Sequence, residues 1–193
     1  CGFAESLEYF DKMGAESFAP TIEKGKLMET LLKAARATSD FYIRQTATDG
    51  IPYWDTGAPG LAKMGDYLGK SSHPYNEFEP VDSSAAAIAA QGLLRLSSYL
   101  ETGDPKRAEL YRQAGLTVTK TLLSEPYLSS KPDHEGLILH SVYHRPNGWD
   151  NIPKGRKIPC DESSMWGDYH ARELMLYTTK QLRNEPYYQF FDL

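Results

Sequence analysis

The chain has 193 residues and a mass of 21.7 kDa, with 40% hydrophobic and 24% charged residues and a formal net charge of −5. That is enough for one domain with a substantial core, and the composition excludes an intrinsically disordered segment. The acidic balance argues against a nucleic-acid partner, which calls for a basic face, and no apolar run approaches the ~20 residues a membrane helix needs.

Residues 3 to 18 place Phe3, Leu7, Phe10 and Met13 at helical spacing, predicting a helix that Ala19-Pro20 ends. The opening Cys1-Gly2-Phe3-Ala4-Glu5-Ser6 is neither an initiator methionine nor a secretory signal, so the chain reads as a fragment whose first helix is already under way. From 21 to 46, Leu27, Leu31, Leu32, Ala35, Phe41 and Ile43 repeat with near-helical period, and Asp49-Gly50 stops the segment. Residues 50 to 81 are rich in Gly, Pro, Ser and Tyr without a sustained period; loops this long are more often functional than structural. Asp82 or Ser83 is placed to cap a helix running to about Glu101, whose alanine-rich first half lets neighbouring helices approach closely.

Thr102-Gly103-Asp104-Pro105 stops that helix and starts another over 105 to 123, expected to bury Leu110, Ala114, Leu116, Val118 and Leu122. A second irregular stretch covers 125 to 162, and a last helix runs from 163 to 182. About five helices and no convincing strand result, with a weak repeat between 3–46 and 82–123 and no internal domain boundary. The alternation of an alanine-rich helix with a charged one predicts inner and outer members of stacked hairpins.

The loop from His140 to Lys157 collects His140, His144, Arg145, Lys154, Arg156 and Lys157 against the single acid Asp150, with Tyr143 and Trp149 between them. Aromatic faces stack on sugar rings, and Arg or Lys pairs with carboxylate or sulfate, so this loop suits an anionic saccharide; a solvated surface loop is the alternative. Trp54, between Tyr53 and Asp55, is either a sugar platform or a plug, with Asp55 capping a turn. Asp82 reads first as a helix cap, and Trp166 as a sugar contact or a core anchor. Asp168 near a helix start suits the macrodipole whatever its function, and Asp161-Glu162-Ser163-Ser164 reads as that helix's cap. No Gly-rich phosphate loop, His/Cys metal spacing or Gly-x-Ser-x-Gly elbow occurs, so no cofactor or metal is called for. His170, inside a helix, reads as a packed or surface residue. Cys1 and Cys160 form no disulfide framework, which favours a reducing compartment, the cytoplasm.

Three segments in order carry a resemblance: Ile51-Pro52-Tyr53-Trp54-Asp55, then Asp82-Ser83-Ser84-Ala85-Ala86-Ala87-Ile88-Ala89-Ala90, then Trp166-Gly167-Asp168-Tyr169. They resemble the C-terminal half of the unsaturated glucuronyl hydrolases, glycoside hydrolase family 88, over nearly the whole chain and most densely from Asp49 to Glu173. The resemblance implies an all-α fold, part of an (α/α)6 barrel of six helical hairpins. It also implies a substrate, an oligosaccharide ending in a 4,5-unsaturated uronic acid left by polysaccharide lyases. In that family a carboxylic acid protonates the double bond, water adds, and the hemiketal collapses to release the sugar.

Both aspartates of the family's catalytic pair lie in the N-terminal half of its pattern, as does an Arg-Gly-Gln-Ala-Trp stretch that would fall just before Cys1. No residue here matches either aspartate, and Asp55, Asp82 and Asp168 are not promoted to that role. The resemblance therefore implies an enzyme of which this chain alone lacks the catalytic residues and is inactive. It points to Trp54, His140, Arg145, Lys157, Ser163 and Trp166 as substrate contacts; Lys157 and Ser163 lie near where some members meet a sulfate, without aligning cleanly. Half a barrel exposes apolar helix sides, so poor solubility, self-association or a missing N-terminal half as partner is expected. The alternatives are a non-catalytic helical-repeat interaction module and a rhamnogalacturonyl hydrolase-like enzyme. The hydrolase reading requires Trp54, Trp149 and Trp166 near one rim, whereas a scaffold spreads its aromatics along a groove.

Overall fold

The computed structural model describes residues 1–187. Its helices are α1 (Gly2–Lys12), α2 (Lys24–Arg44), α3 (Ser83–Leu100), α4 (Pro105–Leu122) and α5 (Met165–Leu182), with short 3-10 turns at Ala15–Ser17, Pro59–Lys63 and Arg145–Asn147. Among the described residues the only β pairing outside helices is two isolated bridges, Tyr53 with Val81 and Leu128 with Ile138. The first helix is shorter than its periodicity predicts, because Met13 turns extended (φ −74°, ψ 135°) ahead of Gly14. Sequence caps start three helices: the side chains of Asp82, Asp104 and Ser164 accept from backbone N–H groups of α3, α4 and α5.

Contacts between helices fix their directions. Cys1 Sγ donates to Gln91 Oε1 at 2.8 Å and Arg95 reaches Glu8 at 2.7 Å, so α1 runs the same way as α3. Trp166 Nε1 donates to Ser84 Oγ at 3.3 Å and the Tyr177 hydroxyl meets Ser98 Oγ at 3.4 Å, so α5 also runs parallel to α3. On the other side, Ser97 Oγ donates to the Ala108 carbonyl at 2.8 Å while Gly115 packs on Leu94, so α4 is antiparallel. A Cβ at Gly115 would sit 2.8 Å from Leu94 Cγ; the missing side chain is what lets the two helices close. Arg36 pairs with Asp104 at 3.2 Å and Arg107 with Asp40 at 3.0 Å, placing α2 beside α4 in the same direction.

The result is two layers: α1, α3 and α5 parallel in one, α2 and α4 antiparallel to them in the other. Segments 13–23 and 101–104 turn the chain at one end, and the long loops 45–82 and 123–164 lie at the other. Helix α3 is the spine. Its Ala86, Ala87, Ala90 and Leu94 pack with Ile51, Val118, Leu122, Ile138 and Leu174, while Leu93, Leu96 and Leu100 pack with Leu7, Ala35 and Tyr111. Each fully buried Leu or Ile of this kind contributes about 1.5–3 kcal/mol.

Two expected core residues are not in the core. Leu110 and Leu116 are exposed, because the stripe of α4 against α3 is Ala108, Tyr111, Gly115, Val118 and Leu122, and both leucines lie off it.

Candidate functional site

The two long loops meet at the N-terminal end of α3. Trp54 N–H donates to the Pro80 carbonyl at 3.0 Å and Asp82 N–H to the Pro52 carbonyl at 2.9 Å, folding the first loop back on itself. Ser83 N–H then donates to the His140 carbonyl at 3.1 Å, joining the second loop to the helix start. Asp82 completes the junction: its Oδ1 accepts from Ser84 N–H at 3.0 Å and Ser84 Oγ–H at 2.6 Å. Burial pushes the Asp82 carboxyl above its ordinary pKa, against the hydrogen bonds from Ser84, Ala85 and Val142 that pull it down. Asp168, in the first turn of α5, accepts from Leu137 N–H at 2.8 Å and Ile138 N–H at 3.0 Å, locking the second loop to α5.

At this end lies a cleft of about 460 Å³ walled by Tyr143, Trp149 and Trp166, with Asp150, Glu162 and Ser163 among its polar lining. The Tyr143 ring lies 5.3 Å from Trp166 at 30° and 5.8 Å from Trp149 at 35°, and Trp149 is 61% exposed. Asp150 organises the wall, one carboxylate oxygen accepting from Tyr143 N–H and the other from His144 N–H. Asn151 Nδ2 donates to Glu162 Oε1 at 2.9 Å. Broad exposed ring faces beside convergent oxygen acceptors form a surface that stacks on a sugar ring and accepts its hydroxyls.

Of the six predicted contacts, Ser163 and Trp166 line this cleft, and Trp54, His140, Arg145 and Lys157 do not. Trp54 is half-buried against the core, its indole N–H on Glu79 Oε2 at 2.7 Å, while Asp55 Oδ1 accepts from Gly57 N–H at 2.7 Å. These contacts are those of the plug-and-turn alternative. His140 is no part of a basic surface: it is 1% exposed, its Nε2–H donates to the Pro126 carbonyl at 3.1 Å and its Nδ1 accepts from Asp161 N–H at 3.0 Å. Its ring packs edge-on to Tyr75 and Tyr127, and burial pulls its pKa down to about 4.

Lys157 lies on Glu77 at 2.8 Å, and Arg156 sits 4.4 Å over the Tyr75 ring, so these two cations tie the two loops together. Arg145 is half-buried in the 3-10 turn outside the cleft. Ser163 Oγ–H donates to the Ile138 carbonyl at 2.6 Å and meets His134 Nε2 at 2.8 Å; with its proton on a carbonyl, it is not set up as a nucleophile activated by His134. Glu162 was expected only as part of a helix cap; Ser164 holds that role, and nothing in local sequence marked Glu162 as a cleft residue. His170 pairs with Glu173 at 2.9 Å on α5.

Two layers of helical hairpins with their long loops and a cleft at one end define a segment of an α/α barrel. The crystal structure of the unsaturated glucuronyl hydrolase of Bacillus sp. GL1 superposes with a TM-score of 0.63 and 26% identity over 93% of this chain and 37% of its own. In sequence, the unsaturated glucuronyl hydrolase of Bacillus sp. strain GL1 is 31% identical over 147 residues, covering 76% of this chain and 32% of that protein. The unsaturated chondroitin disaccharide hydrolase of Streptococcus agalactiae is 26% identical over 144 residues, 73% of this chain and 29% of that protein. No family model matches. Over this stretch the chain is similar to the unsaturated glucuronyl hydrolases, and it spans about a third of the length of the curated relatives it matches.

Proposed function

We propose that this chain forms one wall of the substrate pocket in a hydrolase that releases the terminal 4,5-unsaturated uronic acid from lyase-generated oligosaccharides. The carrying observation is the aromatic cleft at the parallel N-terminal ends of α3 and α5, on a segment related to unsaturated glucuronyl hydrolases. Tyr143 and Trp166 stack the sugar next to the cleaved bond, and Ser163 and Glu162 take its hydroxyls. The proton donor belongs to sequence outside this span, so the chain alone is inactive. Of the three tryptophans this reading wants near one rim, Trp149 and Trp166 meet at the cleft with Tyr143 between them, while Trp54 packs on the core outside it; the meeting of two supports this reading over a scaffold with aromatics strung along a groove.

The remainder of the barrel is the partner of this segment, with self-association as the substitute when it is absent. The row Met165, Tyr169, Leu176 on α5 is exposed and needs such cover. Free Cys1 and Cys160 fit a reducing compartment, the cytoplasm.

The test is an unsaturated disaccharide assay following loss of double-bond absorbance, on this chain alone and on a polypeptide extended to the length of its relatives. Turnover is expected only from the extended polypeptide. Turnover by the chain alone overturns the placement of the catalytic groups.

A further inference from the structure

We infer that His140 is a positioning residue of the sugar wall: as a neutral imidazole with its proton on Nε2, it holds Asp161 in a left-handed turn and so places the cleft segments that follow the two residues. This rests on the cleft being the sugar wall proposed above. His140 and Asp161 both have a left-handed backbone, φ 69° and 66°, which a residue with a Cβ keeps only where its surroundings hold it. Each stands directly ahead of cleft residues: Ser141 follows His140, and Glu162, Ser163 and Ser164 follow Asp161. Two contacts lock the segments together, Asp161 N–H on His140 Nδ1 at 3.0 Å and Ser141 N–H on the Glu162 carbonyl at 3.1 Å.

The partners of the ring fix its tautomer. The Pro126 carbonyl only accepts, so Nε2 carries the proton; the Asp161 backbone N–H only donates, so Nδ1 is bare. Tyr75 and Tyr127 pack edge-on to the ring at 5.1 and 5.5 Å, and the His140 carbonyl takes Ser83 N–H at the start of α3. The Tyr75 hydroxyl also donates to Asp161 Oδ1 at 3.1 Å, so both members of the pair are held by the first loop. A second proton, on Nδ1, points N–H at N–H and releases Asp161. The charged and titratable groups around the ring are Tyr75 from the first loop and Tyr127, Lys131, Arg156 and Asp161 from the second. Burial outweighs the Asp161 carboxylate and keeps the imidazole neutral.

Asparagine and glutamine separate the two ring nitrogens. In His140→Asn the amide oxygen stands where Nδ1 stood and accepts from Asp161; His140→Gln reaches Pro126 and leaves the Asp161 N–H without that acceptor. The experiment is a tryptophan-fluorescence titration of the full chain and both variants with an unsaturated chondroitin disaccharide, alongside urea unfolding and circular dichroism. At pH 7, His140→Asn is expected to bind within about two-fold of the unsubstituted chain and His140→Gln about five-fold or more weaker, although both lose stability. Between pH 7 and pH 4 the unsubstituted chain is expected to lose at least about two-fold in affinity relative to His140→Asn, which has no imidazole to protonate. Titration of the sugar and of the cleft acids cancels in that ratio. Glutamine binding as tightly as asparagine, or a ratio that does not move with pH, overturns the inference and leaves the sugar wall standing. If His140→Gln does not fold, the pH ratio decides; if the chain unfolds above pH 4, the comparison at pH 7 does. No quenching of the unsubstituted chain, when it melts cooperatively, removes the sugar wall and this inference with it.

Discussion

The ring of Tyr143 lies over that of Trp166 with centroids 5.3 Å apart and planes 30° from parallel, and this pair joins the loop ahead of α5 to the first turn of α5 itself. Trp166 is also anchored from below by its indole N–H on Ser84 Oγ, so the platform is backed by the start of α3. The two rings differ in what removing them does. Tyr143 is exposed, so Tyr143→Ala is expected to cost less than about 1 kcal/mol in urea unfolding. Trp166→Ala removes a half-buried ring and a hydrogen bond, and about 2–3 kcal/mol is expected. A double-mutant cycle between them should give a coupling of about 0.5–1.5 kcal/mol. Both single variants should lose fluorescence quenching by an unsaturated disaccharide, and retention of quenching by Tyr143→Ala would remove that ring from the platform.

Asp168 is where α5 holds the loop that carries the platform. Its two oxygens accept from the backbone N–H groups of Leu137 and Ile138, and Ile138 is fully buried. Asp168→Ala strands two inward backbone donors and is expected to cost about 2–4 kcal/mol in urea unfolding. Asp168→Asn keeps one acceptor oxygen and should cost roughly half as much. Equal losses for the two would mean that the charge near the helix N-terminus, and not the paired acceptors, is what Asp168 supplies.

The helical frame was readable from the chain because each helix shows an apolar period on one stripe and three begin at a side-chain cap. Asp82 shows this best: its position ahead of the alanine run announced a cap, and its carboxylate accepts from Ser84 and Ala85. The hydrolase reading, carried by three separated segments, called for Trp54, Trp149 and Trp166 near one rim, and Trp149 and Trp166 meet there while Trp54 lies against the core. What local sequence did not carry was the fate of the basic loop. His140 is one of six basic residues in eighteen positions, yet its partners, Pro126 and Asp161, come from either side of it and bury it. Lys157 meets Glu77 eighty residues away, a pairing with no local signature. Leu110 and Leu116 misled for a plainer reason: an outer helix buries one stripe, and composition alone does not say which apolar residues lie on it.

His140 also makes a pH prediction with a definite sign. Folding lowers its pKa from 6.5 to about 4, chiefly because burial penalises the imidazolium. The unfolded chain therefore binds the extra proton between these values, and stability is fully present above the unfolded pKa and falls as pH drops toward the folded one. The loss totals roughly 3 kcal/mol and is complete below about pH 4. Glu8 and Asp82, whose carboxyl pKa values are raised by burial, work in the opposite direction, so the wild-type curve alone does not isolate the histidine. The measurement is the difference in unfolding free energy between wild type and His140→Gln. That difference should shrink by about 2 kcal/mol between pH 7 and pH 5. A pH-independent difference would mean that the imidazole titrates alike in the folded and unfolded chain, so that burial does not lower its pKa.

Arg95 is a buried charged residue at the centre of the inner layer. Its side chain, 6% exposed, meets Glu8 at 2.7 Å and Glu5 at 3.6 Å on α1, and its guanidinium lies 4.9 Å over the Tyr177 ring on α5. One side chain of α3 thus ties the three parallel helices together. Burial pushes the Glu8 carboxyl above its ordinary pKa even with Arg95 beside it, so desolvation outweighs the pair's attraction at that site. It follows that the two ways of removing the pair differ. Arg95→Ala leaves Glu8 buried without its cation and should cost about 3–5 kcal/mol in urea unfolding, with the loss easing at low pH as Glu8 protonates. The double variant Arg95→Met, Glu8→Met fills similar volume with apolar atoms and should lie within about 1–2 kcal/mol of wild type. A double variant as unstable as Arg95→Ala would show that the ion pair itself, beyond mutual charge compensation, holds α1 against α3.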